Sequence, residues 1–402
     1  MTQILHSRSG HKEWFAVPGF VFLLLFSGCN SENDLPDAPA FSGVATGADT
    51  LVEYPADETF NTFGAEEVLR ISDRDTPDIL GEPDRIGVSA NGDILIFDSS
   101  IASIHHFNQF GEFLNRIGRS GDGPGEFSKE GRLHVLDNEL FIFDRLNAKI
   151  EHFNLDEKPP DHIQTIPLKL IGEDSNSPFN MIGVDNNYYW LIYRRIYEDP
   201  GSKPETEHFI TRMSRKDHAI SDSGLITLPP APVMYENIDG RFFAYPTPYR
   251  PNPISAVIDE GELIIGRSDE FEFLRFNPDR ETRIATRIEI DPIPLTRDDK
   301  QNIAGYADRI MGLVDDHMPD HRPPVIEQII PTEKNAFWAG YEQPDSEYAR
   351  WLHITDSGEI DREVLLPLSF TPHIYEGGQF YGRSEGEDGF DVISVFKLTP
   401  SI

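Results

Sequence analysis

The sequence predicts an all-β protein in which six four-stranded units, repeated along the chain, close into a ring. Three observations lead there: a repeat with a period of 46 residues, a segment upstream of the first repeat that can complete the last one, and ample apolar material for a core. The period is clearest between residues 91–108 (NGDILIFDSSIASIHHFN) and 137–154 (DNELFIFDRLNAKIEHFN), where Asp98 maps to Asp144 and Phe107 to Phe153. In each unit a turn (Asn91-Gly92, Asp137-Asn138) leads into a short apolar run, a polar loop, an alternating strand and a second turn. Several short strands recurring every 40–50 residues or so are the mark of propeller blades.

The remaining units follow with decay. Residues 261–277 repeat the pattern directly, 185–211 carry extra residues between Tyr193 and His208, 335–355 run into the turn Asp356-Ser357-Gly358, and 377–398 come last. Six units result, with inner strands beginning near Arg85, Gly131, Asn180, Ile254, Val325 and His373. The last unit lacks a fourth strand of its own, and residues 66–72 (EEVLRIS) are placed to supply it. Such closure removes two free sheet edges that would otherwise invite aggregation. The expected fold is therefore a six-bladed β-propeller over residues 65–402. One inserted helix is expected at about 296–314, opened by a capping-box-like pair, Thr296 and Asp299, with Ile303, Tyr306, Ala307, Ile310, Met311 and Val314 on one face.

The 402 residues are 38% hydrophobic and 11% aromatic, which suits one large all-β domain as well as two or three ordinary ones; the repeat selects the former. Asp and Glu number 69 against 35 Lys and Arg, a formal charge of −34. Such a surface repels phosphate backbones, so no nucleic-acid partner is expected. With one cysteine no internal disulfide can form, and the fold must rest on its core.

Residues 1–28 read as an address. Arg8 and Lys12 precede an almost wholly apolar run at 14–26 (WFAVPGFVFLLLF), too short to span a bilayer comfortably and ending in small residues, as a cleaved signal does. Phe26-Ser27-Gly28-Cys29 resembles the lipobox of bacterial lipoproteins, although Phe26 stands where Leu is usual. The resemblance implies lipidation of Cys29 as the mature N-terminus, and acyl chains there would anchor the protein to a membrane without a spanning helix. The alternative is a buried cysteine closing an N-terminal helix. Residues 29–64 are expected to form a flexible tether, and Asn30, in place of the Asp that favours inner-membrane retention, points to the outer membrane, on its periplasmic side or at the cell surface.

Residues 118–127 (GRSGDGPGEF) look like the NHL-type loop that joins one blade to the next. The span 66–398 resembles the six-bladed propeller lipoproteins of Bacteroidetes and their relatives, with further support from 249–253 (YRPNP) and 351–358 (WLHITDSG). The resemblance implies a fold and a cell-envelope location; those families are defined by architecture and imply no activity.

Several motifs bear on chemistry. The glycine-rich 118–127 lacks the Gly-Lys-Ser/Thr end of a phosphate-binding loop; its glycines are expected to supply positive φ, with Phe127 packed between blades. Among His105, His106, His134 and His152, the last repeats His106 at the blade period. Residues 315–321 (DDHMPDH) gather three acids and two histidines, but Pro319 keeps His317 and His321 off one helical face. No metal, cofactor or catalytic residue is assigned, and the expected function is a non-catalytic binding module. The alternative is a metal-dependent hydrolase or lyase of the gluconolactonase or strictosidine-synthase type, for which Asn180, Asp185 and Glu327 would be the inner-strand ligands. No Gly-x-Ser-x-Gly elbow is present.

In a four-stranded blade the loop from second to third strand and the crossover to the next blade emerge on one face. The long segments are of these two kinds: 194–207 and 342–350, then 229–253 and 291–324. That loop-rich face is where an unknown protein, peptide or glycan ligand would bind. Aligning the second-strand exits gives Ser99, Arg145, Arg195, Arg267, Tyr341 and Arg383. The four arginines, with Arg250 nearby, are expected to ring the channel mouth and meet an anionic glycan or peptide, unless each pairs with a neighbouring acid.

Overall fold

The computed structural model describes residues 47–72, 80–171, 176–197, 205–228, 233–238, 241–258, 261–296, 299, 311–332, 334–344, 346–386 and 390–400. Cys29, the apolar run before it and most of the tether lie outside them. The described residues form six antiparallel blades of four strands; in the first five each strand neighbours the next in sequence, whereas the sixth takes its fourth strand from residues 62–71. Blade 1 comprises Pro83–Val88, Ile94–Asp98, Ser103–Phe107 and Phe113–Ile117, and blade 2 begins at Gly131–Leu136. Blades 3 to 6 open with Ser177–Val184, Pro253–Ile258, Val325–Thr332 and Phe370–Glu376. Each of these inner strands touches the inner strand of the next blade, and the sixth returns to the first, so the ring is closed around a central channel.

The second strands are apolar nearly throughout, ILIFD in blade 1 and AFWAGYE in blade 5, because both faces of every blade are covered. In blade 2, Leu140 and Ile142 join the core shared with blade 1, whereas Phe141 and Phe143 join that shared with blade 3. The apolar core is accordingly divided among the six interfaces between neighbouring blades.

The expected closing strand is present and slightly longer. Thr62–Ile71 lies antiparallel to Asp391–Thr399, from Gly64 opposite Thr399 to Ile71 opposite Ile393. Its first two residues instead run parallel to blade 5, Thr62 opposite Glu363 and Phe63 opposite Val364. The tether assigned to 29–64 needs correction at its end. Thr50–Tyr54 is a strand, added in parallel to Thr282–Ile288 as a fifth member of blade 4. Its alternation is short: Val52 and Tyr54 are half-buried, Leu51 and Glu53 exposed. Tyr54 is what holds it, its hydroxyl accepting the Ile360 N–H at 2.8 Å and its ring meeting Phe60 edge-on.

The crossovers on either side of blade 4 fold together as a cap. A hairpin (Val233–Ile238, Arg241–Pro246) and a helix (Met311–His317) share a small core of Met234, Tyr245 and Val314. Thr296 and Asp299 make the expected capping box: the Asp299 N–H donates to Thr296 Oγ1 (3.1 Å), and the Thr296 N–H to Asp299 Oδ2 (2.7 Å). The helix ends three residues beyond the expected Val314, while 300–310 lie outside the described residues.

Candidate functional site

The repeat has a structural reason at Asp98 and Asp144. Both are fully buried at the end of a second strand, and each accepts hydrogen bonds from the crossover that enters its blade. Asp98 takes the N–H groups of Gly81 and Glu82 and the Ser100 hydroxyl; Asp144 takes the Ser128 N–H and hydroxyl. Burial alone would raise the Asp98 pKa, but His105, Ser100 and the two backbone donors outweigh it and hold the group well below the usual carboxylate range. The glycine-rich crossover behaves as expected. Gly118 has φ +70°, the Phe127 ring fills the space beside it, and Phe127 is buried between blades 1 and 2. The carbonyls of Asp122, Gly123 and Glu126 accept from the buried Lys149 ammonium, so a cation already fills the loop's concavity.

The arginines of the expected ring are already engaged. Arg145 pairs with Glu130, and Arg267 holds Asp269 in a two-bond fork at 2.8 and 2.5 Å. Arg195 meets Glu207 (3.1 Å), Asn176 and Tyr197, and Arg383 meets Asp391 at 3.2 Å. Arg250 donates to the His317 carbonyl and so braces the cap. Their register also departs from a single ring. The N–H groups of Ser99, Ser268 and Glu342 donate to Glu82, Asn252 and Pro324, each just ahead of an inner strand, so these three residues are equivalent. Arg145 shares their step, since Gly131 opposes Asp144 as Pro83 opposes Asp98; Arg267 and Tyr341 fall one residue earlier. A one-residue slip turns a strand side chain to the other face of its blade. The pairing supports the structural reading for Arg145, Arg195, Arg267 and Arg250.

A different basic cluster sits further in, at the channel mouth. Arg85 is the third residue of blade 1's inner strand and leans toward blade 2, because Gly87, on the same side, abuts Leu133 and Val135. Around it stand Arg132 and Arg383, with Asp84 as the nearby acid. Asp84 lies 3.6 Å from Arg132, and Asp391 pairs with Arg383, which leaves Arg85 as the surplus charge among the described side chains. Among the described residues its guanidinium makes neither a hydrogen bond nor an ion pair. Burial, followed by repulsion from Arg132, pulls its pKa down to about 10 against the opposing pull of Asp84. His134 and His373 flank the same space. Burial and the Arg85 charge push them down to about 4 and about 3, so both are neutral at pH 7. Both ring nitrogens of His373 are buried without a hydrogen-bond partner.

The other candidates have structural employment. Asp185 accepts from the N–H groups of Asn187 and Tyr188 and from the Trp190 indole at 2.6 Å. Asn180 lies on the inner strand of blade 3; the Glu327 side chain is outside the described residues. His106 bonds Asp93 and His152 lies 2.8 Å from Glu139, the repeat geometry expected of them. His317 bonds the Leu313 carbonyl within the helix. Among the described residues no group of three His, Cys, Asp or Glu is arranged to hold a metal ion. Sequence reasoning passed over Arg85 and Arg132 because they sit in short inner strands, where only the ring closure brings different blades together. The available signal was two arginines at the first steps of consecutive inner strands.

The match to a family model agrees with this architecture. Residues 75–262 match a family model, DUF5128, described as a 6-bladed beta-propeller. Among solved structures the chain is similar to a Bacteroides fragilis protein described as exported, at 15% identity over 87% of this chain and 100% of that one, TM-score 0.48. It is also similar to a member of the DUF4221 family from Bacteroides vulgatus, at 11% identity over 85% of this chain and 100% of that one, TM-score 0.49. No curated protein matches the sequence. The fold is a six-bladed β-propeller.

Proposed function

We propose that this is a lipid-anchored protein of the cell envelope whose propeller is a binding module, with the loop-bearing face as its recognition surface. The observation that carries the reading is the distribution of exposed apolar side chains. Of the twelve large ones among the described residues, six lie on that face: Ile101, Leu146, Leu170, Tyr197, Tyr348 and Phe390. Only Phe110 lies on the opposite face, and the rest are on strands around the outside. Apolar groups collected on one face of a rigid scaffold mark an interaction surface. The anchor rests on the apolar run ending in Phe26-Ser27-Gly28-Cys29.

A photo-crosslinking residue placed in cells at Leu146 or Phe390 is expected to trap a partner that the same residue at Phe110 does not. Equal trapping from both faces would overturn the surface assignment. Cys29→Ser is expected to abolish acyl labelling and leave the protein soluble or as its precursor; undiminished labelling would refute the anchor.

A further inference from the structure

We propose that the channel mouth captures the C-terminal carboxylate of a peptide, with Arg85 as the fork that receives it and the apolar side chains of the loop face as contacts for the residues just before it. The inference rests on the recognition-surface reading above and names its ligand.

Three features converge on a carboxylate. The first is charge. Three guanidiniums, Arg85, Arg132 and Arg383, gather in a chain whose formal charge is −34, and the acids beside them, Asp84 and Asp391, already face Arg132 and Arg383. One surplus positive charge calls for one negative charge, which a carboxylate carries and a doubly ionised phosphate exceeds. The second is geometry: a guanidinium presents paired donors that match a planar carboxylate in two parallel bonds. The third is the cost of the site as it stands. An imidazole with both nitrogens buried and orphaned is unfavourable, and His373 lies close to Arg85, a half-buried guanidinium with no hydrogen-bonded partner of its own. A bound carboxylate relieves both, taking the Arg85 fork and accepting the N–H of a neutral His373.

The surroundings distinguish a peptide from an acidic sugar. Beside Arg85 and Arg132, Ile101, Leu146 and Leu170, from blades 1 and 2 and the crossover beyond, are aliphatic and exposed, whereas the exposed aromatics of this face, Tyr197, Tyr348 and Phe390, belong to blades 3, 5 and 6. Aliphatic groups receive the side chains of a peptide, whereas a sugar is typically met by flat aromatic rings and hydrogen-bonding groups. Deeper in, neighbouring inner strands pack closely: a Cβ at Gly87 would lie 2.5 Å from Leu133, and one at Gly183 2.7 Å from Val257.

The test is affinity selection on the full-length protein from an equimolar pool of N-acetylated tetrapeptides, half with free carboxyl ends and half as carboxamides. Free acids are expected to be enriched by about tenfold or more, and Arg85→Met is expected to abolish the enrichment without lowering the melting temperature of the ligand-free protein. Arg119→Ala, an exposed arginine paired with Glu126, should retain it. Equal recovery of acids and amides would overturn the proposal, as would tighter binding of glucuronate or inorganic phosphate. A marked loss of ligand-free stability in Arg85→Met would make Arg85 a structural residue. If a partner still crosslinks to Leu146 while no free acid is enriched, the carboxylate inference fails alone and the recognition surface stands.

Discussion

The two faces of the propeller manage charge in opposite ways. On the face of the tight turns, cations are paired and stitch one blade to the next. Arg215 bonds Glu139 of the preceding blade, Arg212 pairs with Asp279 of the following one, and Arg275 holds Glu262 while donating to the Thr355 carbonyl of blade 5. Backbone bonds add to this, as where the Ala90 N–H donates to the Asp137 carbonyl. On the loop face the outer arginines are paired as well, yet at its centre Arg85 is half-buried with no hydrogen-bonded acid. One face spends its charge on cohesion. The other keeps a charge without an ion-pair partner, which is the pattern of a surface selected for something other than stability.

The comparison presupposes a closed ring, so the largest effect is expected from opening it. Deleting residues 60–75 removes the partner of Asp391–Thr399 and should abolish or strongly lower the cooperative thermal transition followed by circular dichroism. An unchanged transition would show that closure lies elsewhere. On the turn face, Arg275→Ala leaves the buried Glu262 uncompensated and should cost about 3–5 kcal/mol in urea unfolding. A loss below about 1 kcal/mol would mean that Arg275 does not fasten blade 4 to blade 5.

Around the channel, His134 and His373 titrate far below their usual value near 6.5, so unfolding takes up protons once the pH falls below that value. Their contribution to stability is complete above pH 6.5 and is lost progressively on the way down to about 4 and about 3. Removing His373 by His373→Asn should flatten the dependence by up to about 1.4 kcal/mol per pH unit between those limits. Identical slopes for the two proteins would place this histidine outside the desolvated site. Deleting Thr50–Tyr54 takes away an outer strand whose main anchor is Tyr54, and should cost only about 1 kcal/mol. Smallest in size and opposite in sign, Arg85→Met should leave stability unchanged or slightly raised. A loss comparable to that of Arg275→Ala would erase the contrast between the faces.

What could be read in advance follows the range of the forces involved. The blades, their period, the closing strand, the packing of Phe127 and the Thr296–Asp299 capping box are written locally: apolar runs bounded by turn residues, a buried Asp at a fixed step, a hydroxyl three residues from a carboxylate. The strand at Thr50–Tyr54 escaped because five residues with two half-buried side chains carry almost no periodic signal of their own. Blade 4's open edge selects it. The arginine ring misled for a related reason, since equivalence by sequence tolerates an error of one residue, and in a strand one residue reverses the face. The sequence by itself thus determined the six-bladed scaffold. Which charges would be satisfied and which left bare was decided by tertiary structure alone, because Arg85, Arg132, His134, His373 and Arg383 come from three different blades and meet only when the ring is closed.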